Sequence, residues 1–141
     1  LPPPPPLRPS PGPGEVALVV CGAHMSGLPL NGQLTARGAR FLRATRTAPT
    51  YRLFALAGGP PKRPGLVRAR DGAAISVECW AMPTAALGGL MASIPAPLGL
   101  GTVSLADGST AIGFLCEPLG TDGAQDITAL GDWRSFRSDA V

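Results

Sequence analysis

Val16-Ala17-Leu18-Val19-Val20-Cys21 followed by Gly22-Ala23-His24-Met25-Ser26-Gly27-Leu28-Pro29-Leu30-Asn31-Gly32-Gln33-Leu34 sets an apolar run directly before a glycine-bracketed loop that holds the chain's one histidine. A buried strand opening into such a loop presents backbone N–H groups and one titratable side chain to a small anion. Gly22 and Gly27 can take φ > 0 and bring the backbone close to a ligand, and Pro29 stiffens the exit. On spacing alone a second description fits equally well: a tight strand-to-loop turn whose histidine is hydrogen-bonded to a neighbouring carbonyl.

Working outward, strand-like segments are read at Glu15 to Cys21, Ala39 to Thr45, Tyr51 to Leu56, Ala74 to Met82, Gly101 to Leu105 and Thr110 to Glu117, from β-branched or apolar content between turns. Asp107-Gly108 between the last two is hairpin turn chemistry. One helix is expected after Pro83-Thr84, with Leu87, Leu90, Met91 and Ile94 at helical spacing and Pro95 and Pro97 as the stop. Gly88 and Gly89 weaken it by about 1 kcal/mol each relative to alanine, so they imply either close packing or tolerance. A short closing helix at Asp132 to Ser138 would turn Trp133 and Phe136 inward and Arg134 and Arg137 outward. The class is α+β, mostly sheet, with one main packed helix.

The chain has 141 residues, 45% of them hydrophobic, which supports one domain with a real core. Residues 1–14 hold eight of the seventeen prolines and are expected to form a disordered, polyproline-rich linker, leaving 15–141 as the domain. No apolar run approaches about 18 residues and no signal-peptide pattern opens the chain, so a cytoplasmic protein without a membrane segment is expected. Cys21, Cys79 and Cys116 stand singly in apolar segments and read as buried reduced thiols, with no metal and no cofactor implied. Between Glu15 and Asp71 there is no acidic residue, while Arg37, Arg40, Arg43, Arg46, Arg52, Lys62, Arg63, Arg68 and Arg70 fall there. Such a half attracts anions; few aromatics and no binding motif argue against nucleic acid.

From Val16 to about Phe136 the chain resembles the C-terminal domain of allophanate hydrolase, a branch of the γ-glutamyl cyclotransferase-like fold. The resemblance rests on Gly22-Ala23-His24-Met25-Ser26-Gly27-Leu28-Pro29-Leu30-Asn31, Arg37-Gly38-Ala39-Arg40-Phe41, Ala44-Thr45-Arg46-Thr47-Ala48-Pro49 and Tyr51-Arg52-Leu53-Phe54-Ala55-Leu56. It continues through Lys62-Arg63-Pro64-Gly65-Leu66-Val67, Val77-Glu78-Cys79-Trp80-Ala81-Met82-Pro83, Ile94-Pro95-Ala96-Pro97-Leu98-Gly99, Gly113-Phe114-Leu115-Cys116-Glu117, Asp126-Ile127-Thr128 and Trp133-Arg134. It implies a small mixed or antiparallel, β-barrel-like sheet with one helix packed on it. It also implies a role in urea and allophanate breakdown, helping N-carboxycarbamate, a small dicarboxylate, lose carbon dioxide after an amidase domain or subunit has made it.

An amidase site needs two serines and a lysine base, whereas the single lysine, Lys62, lies in a proline-flanked turn, so the amidase step is assigned to a partner. The wider fold carries a Tyr-Gly-Ser loop and a glutamate after its helix; here Gly22-Ala23-His24-Met25 and Ser93-Ile94-Pro95-Ala96-Pro97 stand in those places, which argues against cyclotransferase activity. His24 is the expected proton donor, since a histidine titrates near neutral pH and a dianion favours its charged form. Gly22, Ser26 and Gly27 are expected to form an anion nest, Arg46 to pair with a carboxylate, and Tyr51 to face either the site or the core rim. Glu78, on the same strand face as Ser76 and Trp80, is expected to orient His24 or pair with an arginine. The competing description is a non-catalytic assembly module that docks an amidase or forms a homodimer through Arg40, Arg43 and an apolar sheet face.

Overall fold

A computed structural model describes residues 10–139, so most of the expected linker, along with the side chain of Arg137, lies outside the described residues. The order is β1 (Glu15–Val20), α1 (Asn31–Thr35), β2 (Arg40–Arg46), β3 (Tyr51–Ala55), β4 (Pro64–Arg68), β5 (Ser76–Pro83), α2 (Thr84–Ala92), β6 (Leu98–Ser104), β7 (Thr110–Cys116), β8 (Gln125–Asp126) and α3 (Trp133–Asp139). Five strands form one sheet in the order β2-β5-β1-β7-β6, and β4-β3-β8 form a second. Among the described residues only β1 and β7 run parallel, and the other paired strands are antiparallel. The α+β class holds, with the correction that the strands make two sheets rather than a closed barrel.

The apolar run beginning at Val16 becomes the middle strand of the larger sheet because both its edges are paired: to β5 from Glu15 to Val20 and to β7 at Leu18 and Val19. Leu18, Val19 and Val20 are accordingly buried. A strand covered on both faces reads as a continuous apolar run rather than an alternating one. In β3 the alternation is clean, with Tyr51, Leu53 and Ala55 turned inward. The sheets are tied together where Ser104 N donates to the Tyr51 hydroxyl and Ala48 N donates to Ser104 O.

The expected stripe of α2 packs on this core, with Leu90 fully buried and Leu87, Met91 and Ile94 partly so. Gly88 meets nothing within 4 Å of where a Cβ would stand, and Gly89 meets only Arg37 Nε at 4.0 Å, so these glycines are tolerated rather than required by packing. The β6–β7 hairpin turns at Asp107-Gly108 with Gly108 at φ +88°. Ser109 donates to Asp107 from both its hydroxyl and its amide, and these bonds hold the Asp107 carboxyl down at about 2.

Three elements escaped the sequence reading, and one of them, β8, spans only Gln125–Asp126, too short to show alternation. Strand β4 starts on Pro64, and prolines in the preceding turn hid it; a proline is admissible as the first residue of a strand because its missing N–H lies outside the ladder. Helix α1 has only five residues, too few to show a period, yet it buries Leu34 completely. Three cations of the basic half are paired with carboxylates: Arg40 with Glu15, Arg43 with Asp107, and Arg52 with Asp71 and Asp126. No helix among the described residues is long and apolar enough to cross a membrane.

Candidate functional site

The loop leaving β1 makes a compact turn before α1. Met25 N donates to Gly22 O, Leu30 N to Ala23 O, and the Asn31 side chain to His24 O. Consecutive residues therefore face opposite ways: His24 opens on one cavity, and Met25 lines a different cleft. At Gly22 the constraint is space. A Cβ there would stand 2.4 Å from Pro64 Cδ, so only glycine lets the loop lie against the start of β4.

His24 is buried, at 7% exposure. Its Nε2 lies 2.9 Å from Gln33 Oε1 on α1, and its ring stacks on Phe114 of β7 with centroids 5.2 Å apart. These two contacts fix both the position and the plane of the imidazole. The cavity it faces, about 20 Å³, is bounded by Gly22, Arg63, Pro64, Ile94, Leu98 and Phe114 among others. A larger, more open pocket of about 270 Å³ shares Arg63 and Leu98 with it and is walled by residues 56–61 and 95–97. The prolines of Ile94-Pro95-Ala96-Pro97 thus form a wall, as expected of residues that fix a loop without donating.

Burial lowers the His24 pKa from 6.5, and the charges of Arg63 and Arg37 lower it too, outweighing the hydrogen bond to Gln33 that works upward. The folded-state value therefore lies below the unfolded one. Between the two, the unfolded chain carries a proton that the folded chain does not, and stability falls as pH drops through that window. Urea midpoints measured at pH 7.5 and 5.5 should fall more for the unmodified chain than for His24→Gln. Equal falls would show that burial of the neutral imidazole contributes nothing to this dependence.

Glu78 of β5 sits behind the same loop. Its Oε1 accepts from Ser26 N at 2.8 Å, Ser26 Oγ at 3.0 Å and Trp80 Nε1 at 3.1 Å, and its Oε2 accepts from Arg134 Nη2 at 3.1 Å. Arg134 Nη2 also donates to Ser26 O at 2.8 Å. Burial works to raise the Glu78 pKa, but the bonds from Ser26, Trp80 and Arg134 outweigh it and the carboxyl stays below its usual range. The carboxylate held by the Ser26 amide and hydroxyl is thus the protein's own.

The family model described as allophanate hydrolase C-terminal domain matches residues 16–138, nearly the whole described chain. The chain belongs to the allophanate hydrolase C-terminal domain family. It is 40% identical over 127 residues to a urea amidolyase of Saccharomyces cerevisiae, covering 86% of this chain and 7% of that protein. Against Kluyveromyces lactis allophanate hydrolase the TM-score is 0.87 at 36% identity, covering 90% of this chain and 22% of the other. A uropathogenic E. coli-specific protein gives 0.82 at 38% identity, covering 88% of this chain and 96% of that one. The chain therefore spans a small part of the urea amidolyases and nearly all of the E. coli protein. The fold extends to a γ-glutamyl cyclotransferase, at a TM-score of 0.52 and 12% identity.

Within this member of the allophanate hydrolase C-terminal domain family, the residues singled out in the sequence fall into four places. His24 and Gly22 share the inner cavity. Glu78 and Arg46 line a cleft of about 310 Å³ on the other side of the loop, together with Met25 and Arg134, and Ser26 is bonded to Glu78 there. Tyr51 is fully buried and its hydroxyl is tied to Ser104 N and Arg68 Nη2, so it resolves to the core. Gly27 turns the loop at φ +75°, with open space where a Cβ would stand.

Of the two roles open to Glu78, the pairing with an arginine is the one present; the partner of His24 is Gln33. Arg134, expected to point outward, instead reaches back to Ser26 and Glu78. Three residues of the inner site had no sequence signal of their own. Gln33 lies in a helix too short to read, Phe114 was one apolar residue in a strand, and Arg63 was one cation among many. Cys21, Cys79 and Cys116 are buried and unbridged; burial raises the thiol pKa of all three, to about 12 at Cys21.

Proposed function

We propose that the chain promotes decarboxylation of N-carboxycarbamate to carbamate and carbon dioxide, with His24 as proton donor and an amidase domain or subunit supplying the substrate. The observation that supports it is the fixed, buried imidazole of His24, set at a small cavity with two arginine charges close enough to depress its proton affinity. That is a place made ready for a dianion. A doubly charged ligand cancels the repulsion from Arg63 and Arg37, raises the His24 pKa and recruits a proton from solvent.

The proton then passes to the substrate nitrogen as its bond to one carboxyl carbon breaks. The bonding pair stays on nitrogen, carbon dioxide leaves, and carbamate with neutral His24 remains. One proton is consumed per dianion, and charge balances. The assembly-module description has no matching support, because Arg40 and Arg43 are spent on Glu15 and Asp107 within the domain.

Malonate keeps both carboxylates and cannot be turned over, so it probes the site without chemistry. Titrated into the chain, it should produce saturable shifts of the single histidine's imidazole signals and move that pKa upward. When an amidase delivers the substrate, His24→Ala should slow carbon dioxide release about 100-fold, the low end of general-acid effects, since carbamates decarboxylate readily unaided. An imidazole indifferent to millimolar malonate would end this reading.

A further inference from the structure

The terminal nitrogen Nη1 of Arg63 is inaccessible to solvent and has no hydrogen-bond partner, one of two such buried side-chain polar atoms among the described residues. A guanidinium N–H left unpaired away from water is expensive, and such groups in folded proteins are ordinarily satisfied. Arg63 is also placed where a ligand would need it. It is common to the 20 Å³ cavity at His24 and the 270 Å³ pocket outside it, standing at the junction between them. No ion pair to Arg63 occurs among the described residues, although Arg40, Arg43 and Arg52 of the same basic half are each paired.

The sizes of the two spaces constrain what can bind. About 20 Å³ holds roughly one water-sized group, since a single probe sphere takes about 10–15 Å³. A dicarboxylate cannot lie wholly inside. One end must reach in toward His24 while the other remains in the outer pocket, and the group between them passes the Arg63 fork. Apart from Arg63, the outer pocket is lined by Leu56, Ala57, Gly58, glycine, alanine, leucine and proline residues, with no other charged side chain.

We infer that Arg63 is the carboxylate-binding residue that makes this site select a dicarboxylate over its monoamide, a step that rests on the dianion reading above. A planar guanidinium matches a carboxylate through two parallel N–H···O bonds, and an amide in that position would present its own N–H groups to the donors. Arg63 therefore sets both affinity and specificity, and His24 delivers the proton.

The test is calorimetric titration of the full chain with malonate and with malonamate, its monoamide, using the unmodified chain, Arg63→Met and Arg63→Lys. The unmodified chain should prefer malonate by more than tenfold. Arg63→Met should lose that preference, and Arg63→Lys should keep part of it because it retains charge without the fork. His24→Ala should keep the preference while losing the proton uptake that accompanies binding.

If the unmodified chain binds no malonate, both the dicarboxylate reading and this one fall. If it binds and Arg63→Met, still folded by circular dichroism, discriminates equally well, the role of Arg63 alone is overturned. Should Arg63→Met not fold, arginine-labelled unmodified chain decides: a shift of the Arg63 guanidinium resonance that saturates with malonate supports the assignment, and silence overturns it.

Discussion

Glu78→Ala should destabilise the domain by about 3 kcal/mol and loosen the loop that carries His24. Four donor contacts end on this carboxylate, from the Ser26 amide, the Ser26 hydroxyl, the Trp80 indole and the Arg134 guanidinium. Removing it leaves the Ser26 and Trp80 donors without their acceptor beneath the loop, while Arg134 keeps its bond to Ser26 O. Each hydrogen bond to a charged group contributes about 1.5–3 kcal/mol, and abandoned buried donors add their own desolvation cost, offset in part by the bond that Arg134 keeps.

Urea denaturation of Glu78→Ala and Glu78→Gln measures this, with amide exchange at Ser26 reporting on the loop. Gln should fall between Glu and Ala, because its oxygen can still accept from Ser26 while its NH₂ opposes Arg134. The pH dependence follows in sign. The folded pKa of Glu78 lies below its ordinary 4.5, so its contribution is present above that value and is lost as pH falls through the folded one. Both variants should lack that acid limb. A loss under about 0.5 kcal/mol in Glu78→Ala would mean that Ser26 and Trp80 find equivalent partners in water.

Gly22→Ala is the second large effect, and it is expected at the ligand as well as in stability. The added methyl would meet Pro64 Cδ at 2.4 Å and Cγ at 2.5 Å. Pro64 is buried at the head of β4 and its ring cannot rotate away, so the loop and that strand must separate. Forced overpacking of this kind costs about 1–3 kcal/mol. Because Gly22, Pro64 and Arg63 border the same small cavity, the separation should also remove malonate binding. Melting and malonate titration of the variant test the two parts separately. A variant that binds malonate normally would place the dianion elsewhere than this cavity.

How much of this was legible beforehand depended on whether the deciding contact is local in sequence. The strand, the glycine bracket and the histidine lie together between Val16 and Gly27, and Asp107-Gly108 announces its hairpin in two residues. What fixes His24 is not local in that way. Phe114 lies in β7, reached only through a parallel pairing that no short-range pattern encodes, and Gln33 sits in a helix of five residues.

Arg134 shows the same limit from the other side. Helical alternation sets it opposite Trp133 and Phe136, and that much is consistent with their burial. Opposite the core of its own helix, however, lies the back of the β1 loop rather than open water. Glu78 was placed on the correct strand face with Trp80, and the hydrogen bond between them is in keeping with that alternation. That the face is covered follows from Arg134 and Ser26, 56 and 52 residues away.

The central position of β1 has a consequence in time. Its two neighbours come from the middle and the last third of the chain, and the loop it carries is braced by residues 78, 114 and 134. A ribosome making this domain releases the histidine early and its supports late, and contacts so distant in sequence form slowly even in a finished chain. The first strand is thus a keystone cut before the arch exists: until nearly the last helix has been made, the residue assigned the chemistry has no fixed place to stand.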